Sequence, residues 1–405
     1  MSSEISPQFI ASLTNALVYW QQQTQNLDDA LIIEIDPERQ NLHEVVVIGL
    51  DLPQTWKLAA GVALQVFYLV ERRGYWQEWL EVLNKALVYC PTTAYHLQGQ
   101  LLNRIGELHR FGRQLEEAIE VHKQAEALAQ QQEDELALAE AHFRLCYDFL
   151  VTRQYKEAEQ FGLLTLEVFT RLAVKGAWLA NTYRALGMIA RQRGDMPTAL
   201  ERLSCAVELG RKLNQPTRLA RILYDLGSAY QDAGKYDEAL AQFHEASKLL
   251  ETTASERDKV NVQNNIGTLY FRRQQWDKAE FAFQQAQASR YLRQSGNAHL
   301  QALVATNLSN VFLKQGRLSE AETILRQAWI LRLQANDEVS LANTIGSLAE
   351  VLAQQGQWDE AISLYEQAIP LLSKYPDDAF AQTRLLPSFQ AQLQAAEKTA
   401  RHLEE

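Results

Sequence analysis

Three histidines and a cysteine stand where a metal centre could form. His109 and His122 fall at two large-residue positions of one segment, and His142 opens the next, with Cys146 one helical turn on. Three nitrogens and a sulfur suffice for zinc. The competing reading packs each imidazole in place of an aromatic ring and gives it a hydrogen-bond partner, as buried polar groups ordinarily have; on that reading no metal is expected. Other chemistry is harder to place. The only Gly-Lys pair, Gly234-Lys235, is separated from Gly227 by six residues and is followed by Tyr236, whereas a phosphate loop needs four and then Ser or Thr. No two glycines are two apart, no Gly-x-Ser-x-Gly occurs, and neither His43-Glu44 nor His244-Glu245 has a second histidine four residues on. The expectation is a protein without catalytic residues or cofactor.

The side chains that remain suit recognition. Arg104, Arg144 and Arg184 recur at intervals of 40 residues, with Arg110 and Arg191 nearby, in a chain of net charge −11. Guanidinium groups take carboxylates bidentately, and Asn amides can pair with both the N–H and the C=O of an extended backbone. Asn103, Asn264, Asn265, Asn307 and Asn310 are candidates for the second role. The overall negative charge argues against nucleic acid or anionic lipid as the main partner.

Such residues need helices to hold them. Gly (18) and Pro (9) are scarce in 405 residues, and proline is absent between Pro91 and Pro197 and again between Pro216 and Pro370. That composition predicts helices joined by short turns. A box, Gly-x-(aromatic or Leu/Met)-x-x-Ala, recurs with its last residue at Trp79, Ala118, Ala158, Ala199, Ala239, Ala279, Ala321 and Ala361, at spacings of 39 to 42. Thirteen residues before each box Ala comes an aliphatic side chain, usually followed by a small one, as in Ile105-Gly106, Leu226-Gly227 and Ile266-Gly267. Seven after it another Ala follows in seven of eight copies, from Ala86 to Ala368. Small residues on both helices of a pair let their backbones approach.

The pattern Leu-Gly-x-x-Tyr…Gly-x-Tyr-x-x-Ala…Ala resembles the tetratricopeptide repeat, in a 40-residue variant similar to kinesin light chains, the maltose-regulon activator and the Rap family. Phe67 and Trp79 depart from it in the first copy. The resemblance implies an all-α, right-handed α-solenoid superhelix of about eight helix-turn-helix repeats. Residues 54–372 form the array, 1–53 an N-terminal helical cap and 373–405 the C-terminal capping helices. In the cap, Pro7 to Gln22 reads as helix and Glu38–Leu50 as a second, although Val45–Ile48 also suits a strand. At the other end Phe380, Leu385, Phe389 and Leu393 form one apolar stripe, on helices interrupted by Pro387.

In such arrays the first helix of each pair lines the concave face. The positions exposed there would be Asn103, Arg104, Glu107, Arg110, Arg144, Tyr147, Arg184 and Arg191, then Tyr224, Asp225, Asn264, Asn265, Arg272, Asn307, Asn310 and Lys314. Five Arg against one Glu in the first set is a local inversion of charge. The alternatives are a merely solvated face or a groove for an extended, acidic ligand. The function expected is a non-enzymatic interaction scaffold binding a partner peptide or domain. A Rap-like peptide sensor is the second reading. The third is a separately encoded repeat arm of a bacterial nucleotide-switch system, whose first repeats Arg72-Arg73-Gly74-Tyr75-Trp76-Gln77-Glu78-Trp79-Leu80 resemble. Three scattered cysteines, a first basic residue only at Arg39 and no apolar run long enough for a bilayer point to the cytoplasm, with no membrane insertion.

Overall fold

The computed structural model describes residues 5–253, 255–294, 297–335, 337–376 and 381–404. It is helical, with no strand among the described residues, and it divides into two compact units, Met1–Ser255 and Glu256–Glu405. In the first, α1 (Pro7–Thr24), α2 (Asp29–Ile35) and α3 (Arg39–Leu50) precede a broken first repeat of α4 (Trp56–Gln65), α5 (Phe67–Arg73) and α6 (Trp76–Val88). Four regular pairs follow: α7 (Tyr95–Phe111) with α8 (Leu115–Gln131), α9 (Glu135–Val151) with α10 (Tyr155–Arg171), α11 (Ala177–Gln192) with α12 (Met196–Arg211), and α13 (Pro216–Asp232) with α14 (Tyr236–Leu250). The second unit pairs α15 (Glu256–Arg272) with α16 (Trp276–Gln287), then, after the short α17 (Arg290–Gln294), α18 (Ala298–Lys314) with α19 (Leu318–Ala335) and α20 (Glu338–Gln354) with α21 (Trp358–Ser373). It closes with α22 (Leu386–Glu404). Within each unit the two helices of every regular pair pack on one another and successive pairs stack, the architecture of an α-solenoid. Among the described residues no helix is long and apolar enough to cross a membrane.

The seam of each pair explains the small residues. Every box Ala from Ala118 to Ala361 is fully buried. The small residue on the first helix faces a large one four positions after the box Ala. A Cβ placed on Gly227 would lie 2.7 Å from the Phe243 ring, one on Gly267 2.6 Å from Phe283, and one on Gly187 2.6 Å from Leu203. In the α9/α10 pair the roles reverse, since Gly162 on the second helix makes room for Cys146 on the first. Thr165 takes the later Ala position of that repeat, fully buried, and donates its hydroxyl to the Phe161 carbonyl at 2.9 Å.

The box turn has one backbone solution with or without its glycine. Five residues before the box Ala the chain turns left-handed, at φ 80° in Gly194, 74° in Gly234, 76° in Gly316 and 81° in Gly356. The next residue's N–H then donates back to the last turn of the first helix, for example Asp195 to the Ala190 carbonyl at 2.9 Å. Copies without the glycine turn the same way at Arg113 (φ 66°), Arg153 (φ 62°) and Gln274 (φ 58°), conformations that cost a side chain about 1 kcal/mol, and the next residues, Gln114, Gln154 and Gln275, donate the same bond. Arg113→Gly, at an exposed position, should therefore raise stability by about 0.5–1 kcal/mol, read as a higher melting midpoint. A fall would mean that the Arg113 side chain holds the turn.

The ends depart from the sequence expectation in detail. Val45–Ile48 is helical, within α3, which corrects the strand alternative; Pro37 sits in a 3₁₀ turn, Asp36–Glu38, just ahead of that helix. The first repeat breaks at Val66, between α4 and α5. Trp79 fits where Ala is usual because α3 receives it, with the His43 ring edge-on at 5.7 Å. At the far end Pro387 stands in the first turn of α22, so it starts that helix instead of interrupting one. Phe389 fills a notch on α20 that only glycine leaves open, since a Cβ on Gly346 would lie 2.1 Å from its ring. Leu385 and Leu393 join the same core, whereas Phe380 lies outside the described residues.

Candidate interaction site

The histidines separate. His122, fully buried, pairs through Nδ1 with Asp148 Oδ2 at 2.5 Å, and its Nε2 lies 3.2 Å from the Asn103 carbonyl. His142 Nε2 pairs with Glu126 at 3.1 Å, and His109 Nδ1 with the Gln114 side chain at 2.9 Å. Each imidazole thus has its own hydrogen-bond partner. Cys146 is buried, and burial pushes its thiol pKa up to about 12.

The arginines of the first helices do not stand free. Glu107 Oε2 accepts from Arg104 at 2.7 Å, while its other oxygen lies 3.3 Å from Arg144, one repeat on. Arg144 also donates to the Glu140 carbonyl at 3.0 Å and lies 5.2 Å from the Trp178 ring. Arg110 reaches forward to Asp148 at 3.0 Å, Arg184 to Asp225, and Arg191 to Asp232 at 2.6 Å. Arg184 also lies 3.5 Å from the Tyr147 hydroxyl. The residues act as staples between successive first helices.

Two expectations are corrected by this geometry. Asn103, Arg144, Asp225 and Asn264 are buried, not exposed, because neighbouring first helices close over them. The inversion of charge also shrinks, since Glu140, Asp148, Asp225 and Asp232 join Glu107 among the arginines. Arg104, Arg110, Tyr147, Arg184, Arg191, Tyr224, Asn265, Asn307 and Asn310 are half-buried, and Arg272 and Lys314 are exposed. In the second unit Asn307 donates to the Asn264 side chain at 2.8 Å. Lys314 lies 3.5 Å from Glu350.

One contact went unread in the sequence. Glu71 on α5 accepts from Arg221 on α13 at 2.7 Å, across 150 residues. First helices of the first and fifth repeats therefore face each other inside the N-terminal unit, and the face they share is polar. Burial alone would raise the Glu71 carboxyl, but Arg221, Arg72 and Arg104 hold it down to about 2. Burial acts likewise on Glu107, where Arg104, Arg144 and Arg110 bring the carboxyl to about 2. Both are ionised throughout the neutral range.

The tetratricopeptide-repeat family profile matches the chain over residues 178–252, 218–291, 258–334 and 299–374. The apo form of the quorum sensor NprR from B. thuringiensis is similar with a TM-score of 0.59 at 15% identity, covering 90% of this chain and 99% of that one. A Rap protein complexed with Competence and Sporulation Factor gives 0.57 at 17% identity, covering 90% of this chain and 98% of that one. The tetratricopeptide-sensor signal transduction ATPase from Pyrococcus horikoshii gives 0.59 at 18% identity, over 89% of this chain and 55% of that one. At these identities the likeness establishes the fold. A curated relative, Protein O-mannosyl-transferase Tmtc3 from Drosophila melanogaster, is 26% identical over 195 residues, 46% of this chain. The chain spans only 19% of that protein's length.

Proposed function

From the premise that residues 178–374 are tetratricopeptide repeats, we propose that the chain is a non-enzymatic scaffold that binds extended segments of a partner protein on the faces that first helices share within each unit. The observation that carries the reading is the Glu71–Arg221 contact. It turns the first helices of the N-terminal unit toward one another and gives them a common polar face, with half-buried Arg104, Tyr147, Arg184 and Arg191 on it. Within the other unit, taken by itself, Asn265, Asn307 and Asn310 supply amides on first helices, where Arg272 and Lys314 are exposed. On this reading residues 1–53 and 373–405 are caps to an array over 54–372. The mannosyl-transferase likeness covers too little of that enzyme to carry its reaction over.

Photocrosslinking separates this face from the outside of the repeats. A benzoylphenylalanine at Arg191 or Asn310, on first helices, should capture a partner from native lysate, and one at Leu164 or Phe281, exposed on second helices, should not. Capture from the second-helix positions alone sinks the proposal.

A sensor is the second reading, favoured because the Rap and NprR likenesses extend over 90% of the chain, well beyond the profile match. Its mark is a change in X-ray scattering on adding the captured partner's short binding segment. A repeat arm for a separate nucleotide switch, the role suggested by the tetratricopeptide sensor of the Pyrococcus signal transduction ATPase, would instead need an ATPase among the captured proteins.

A further inference from the structure

One helix of the N-terminal unit shows solvent a side that carries no charge. Residues 5–27 contain no Asp, Glu, Lys, Arg or His, in a chain that is 22% charged. α1 lies inside that stretch and packs on α3 and α4, with Leu13, Leu17 and Trp20 buried in the common core. Beside this buried edge runs a second row, Phe9, Ser12, Ala16 and Tyr19. Their spacings of three, four and three residues put them on one side of the helix. Phe9 is 47% and Tyr19 54% exposed, Ser12 is exposed and Ala16 half-buried. Ile5, just ahead of the helix, is exposed as well. Apolar side chains exposed singly are ordinary, whereas a row of them on a side free of charge marks a contact surface.

We propose that this side of α1 binds the same side of α1 in a second copy of the chain, across a two-fold axis. Charge is the first observation that singles out a second copy. About a two-fold axis a face meets itself, so every charged side chain near the axis stands close to its own like. A face free of charge escapes that repulsion, which matters between molecules of net charge −11. A charged partner of another kind finds no complement on it. The second observation is the order of sizes along the row. Two copies of α1 crossing antiparallel, centred on Thr14, set Ser12 against the partner's Ala16 and Phe9 against the partner's Tyr19. Small side chains near the centre let the backbones approach, and the rings at either end pack on each other. The internal seams bring helices together by the same device, small residues opposite larger ones. The contact is limited in extent. α1, at 18 residues, is about 27 Å long, and a single helix pair stays below the roughly 1,200 Å² of a stable complex, so the dimer forms only in concentrated solution.

Sedimentation velocity of the full chain, run up to the high micromolar range, is the test. The wild type should pass from monomer to dimer. Tyr19→Glu should raise the dimer dissociation constant at least about tenfold, because it sets a carboxylate against the partner's Phe9. Phe9→Lys should do the same at the other end of the contact. The double variant F9K/Y19E sets each new ammonium against a new carboxylate of the other copy, and should return the constant to within about threefold of wild type. A parallel pairing sets like charges together and gives no such recovery. Melting curves check that each variant is folded; should these fail, Ser12→Lys, exposed and near the axis, should weaken the dimer at least about tenfold by itself. A wild type that stays monomeric throughout overturns the proposal, even where a benzoylphenylalanine at Tyr19 captures another protein, which would then own this face. A dimer that Tyr19→Glu and Ser12→Lys leave untouched lies elsewhere and overturns it too. Loss in both single variants without recovery in F9K/Y19E overturns the antiparallel two-fold contact.

Discussion

Asp148→Ala is expected to cost about 3–5 kcal/mol, measured by denaturant unfolding of the full chain, one of the largest single losses available in this molecule. Asp148 is fully buried and is the meeting point of a guanidinium and an imidazole from another repeat. Arg110 donates to one carboxylate oxygen at 3.0 Å, and His122 contacts the other at 2.5 Å. His122 has no alternative site, because its ring fills the space left by Gly106, where a Cβ would lie 2.4 Å from Nε2. Truncation thus leaves a buried imidazole and a guanidinium, 14% exposed, without the carboxylate. Asp148→Asn keeps the shape and one acceptor, so it should cost less, about 1–3 kcal/mol. Adding His122→Phe, the residue found at the same seam position as Phe243 and Phe283, should recover part of the Asp148→Ala loss by removing one of the two unpaired groups. A loss below about 1 kcal/mol for Asp148→Ala would show that the network contributes nothing beyond packing.

The same residues show why the architecture was easier to read than the face it presents. A repeat writes its seam in small side chains at fixed offsets, because each box Ala and each facing Gly must occupy the same contact in every copy. Ala118, Ala239 and Ala361 are therefore equivalent by number alone. The side chains of the open face obey no such offset. Arg104 and Arg144 share a register, yet one is half-buried and the other closed over, since Glu107 draws Arg144 down between the helices. Arg184 looked like the third of the row but is shifted by one position, because the repeat ending at Ala199 has 41 residues; Ala185 occupies the true equivalent. The acids that pair with Arg110, Arg184 and Arg191 lie 38 to 41 residues on, a spacing visible in the sequence once the stapling geometry is known. Glu71 and Arg221 leave no local signal, since their meeting depends on the rotation accumulated over five repeats.

Phe243→Ala should cost about 3–5 kcal/mol, and Gly227→Leu about 1–3 kcal/mol, for opposite reasons at one contact. The phenyl ring is fully buried, so truncating it opens a cavity between α13 and α14 that the adjoining backbones, fixed by Ala239 and Ala246, cannot collapse. Leucine at position 227 meets that ring instead: even a Cβ would stand 2.7 Å from it, so the helices must separate or the ring must leave its rotamer. The helix gains somewhat from losing a glycine, about 0.8–1 kcal/mol, which keeps the net loss in the lower range. Because the two changes fill and empty the same space, the double variant should cost less than the sum of the single ones, with a coupling of at least about 1 kcal/mol in a double-mutant cycle. Gly227→Ser with Phe243→Leu, the pair of residue types at the corresponding Ser309 and Leu325, should be tolerated better than either size error alone. Additive losses would mean that Gly227 and Phe243 do not share a contact, and the seam assigned to every repeat would have to be redrawn.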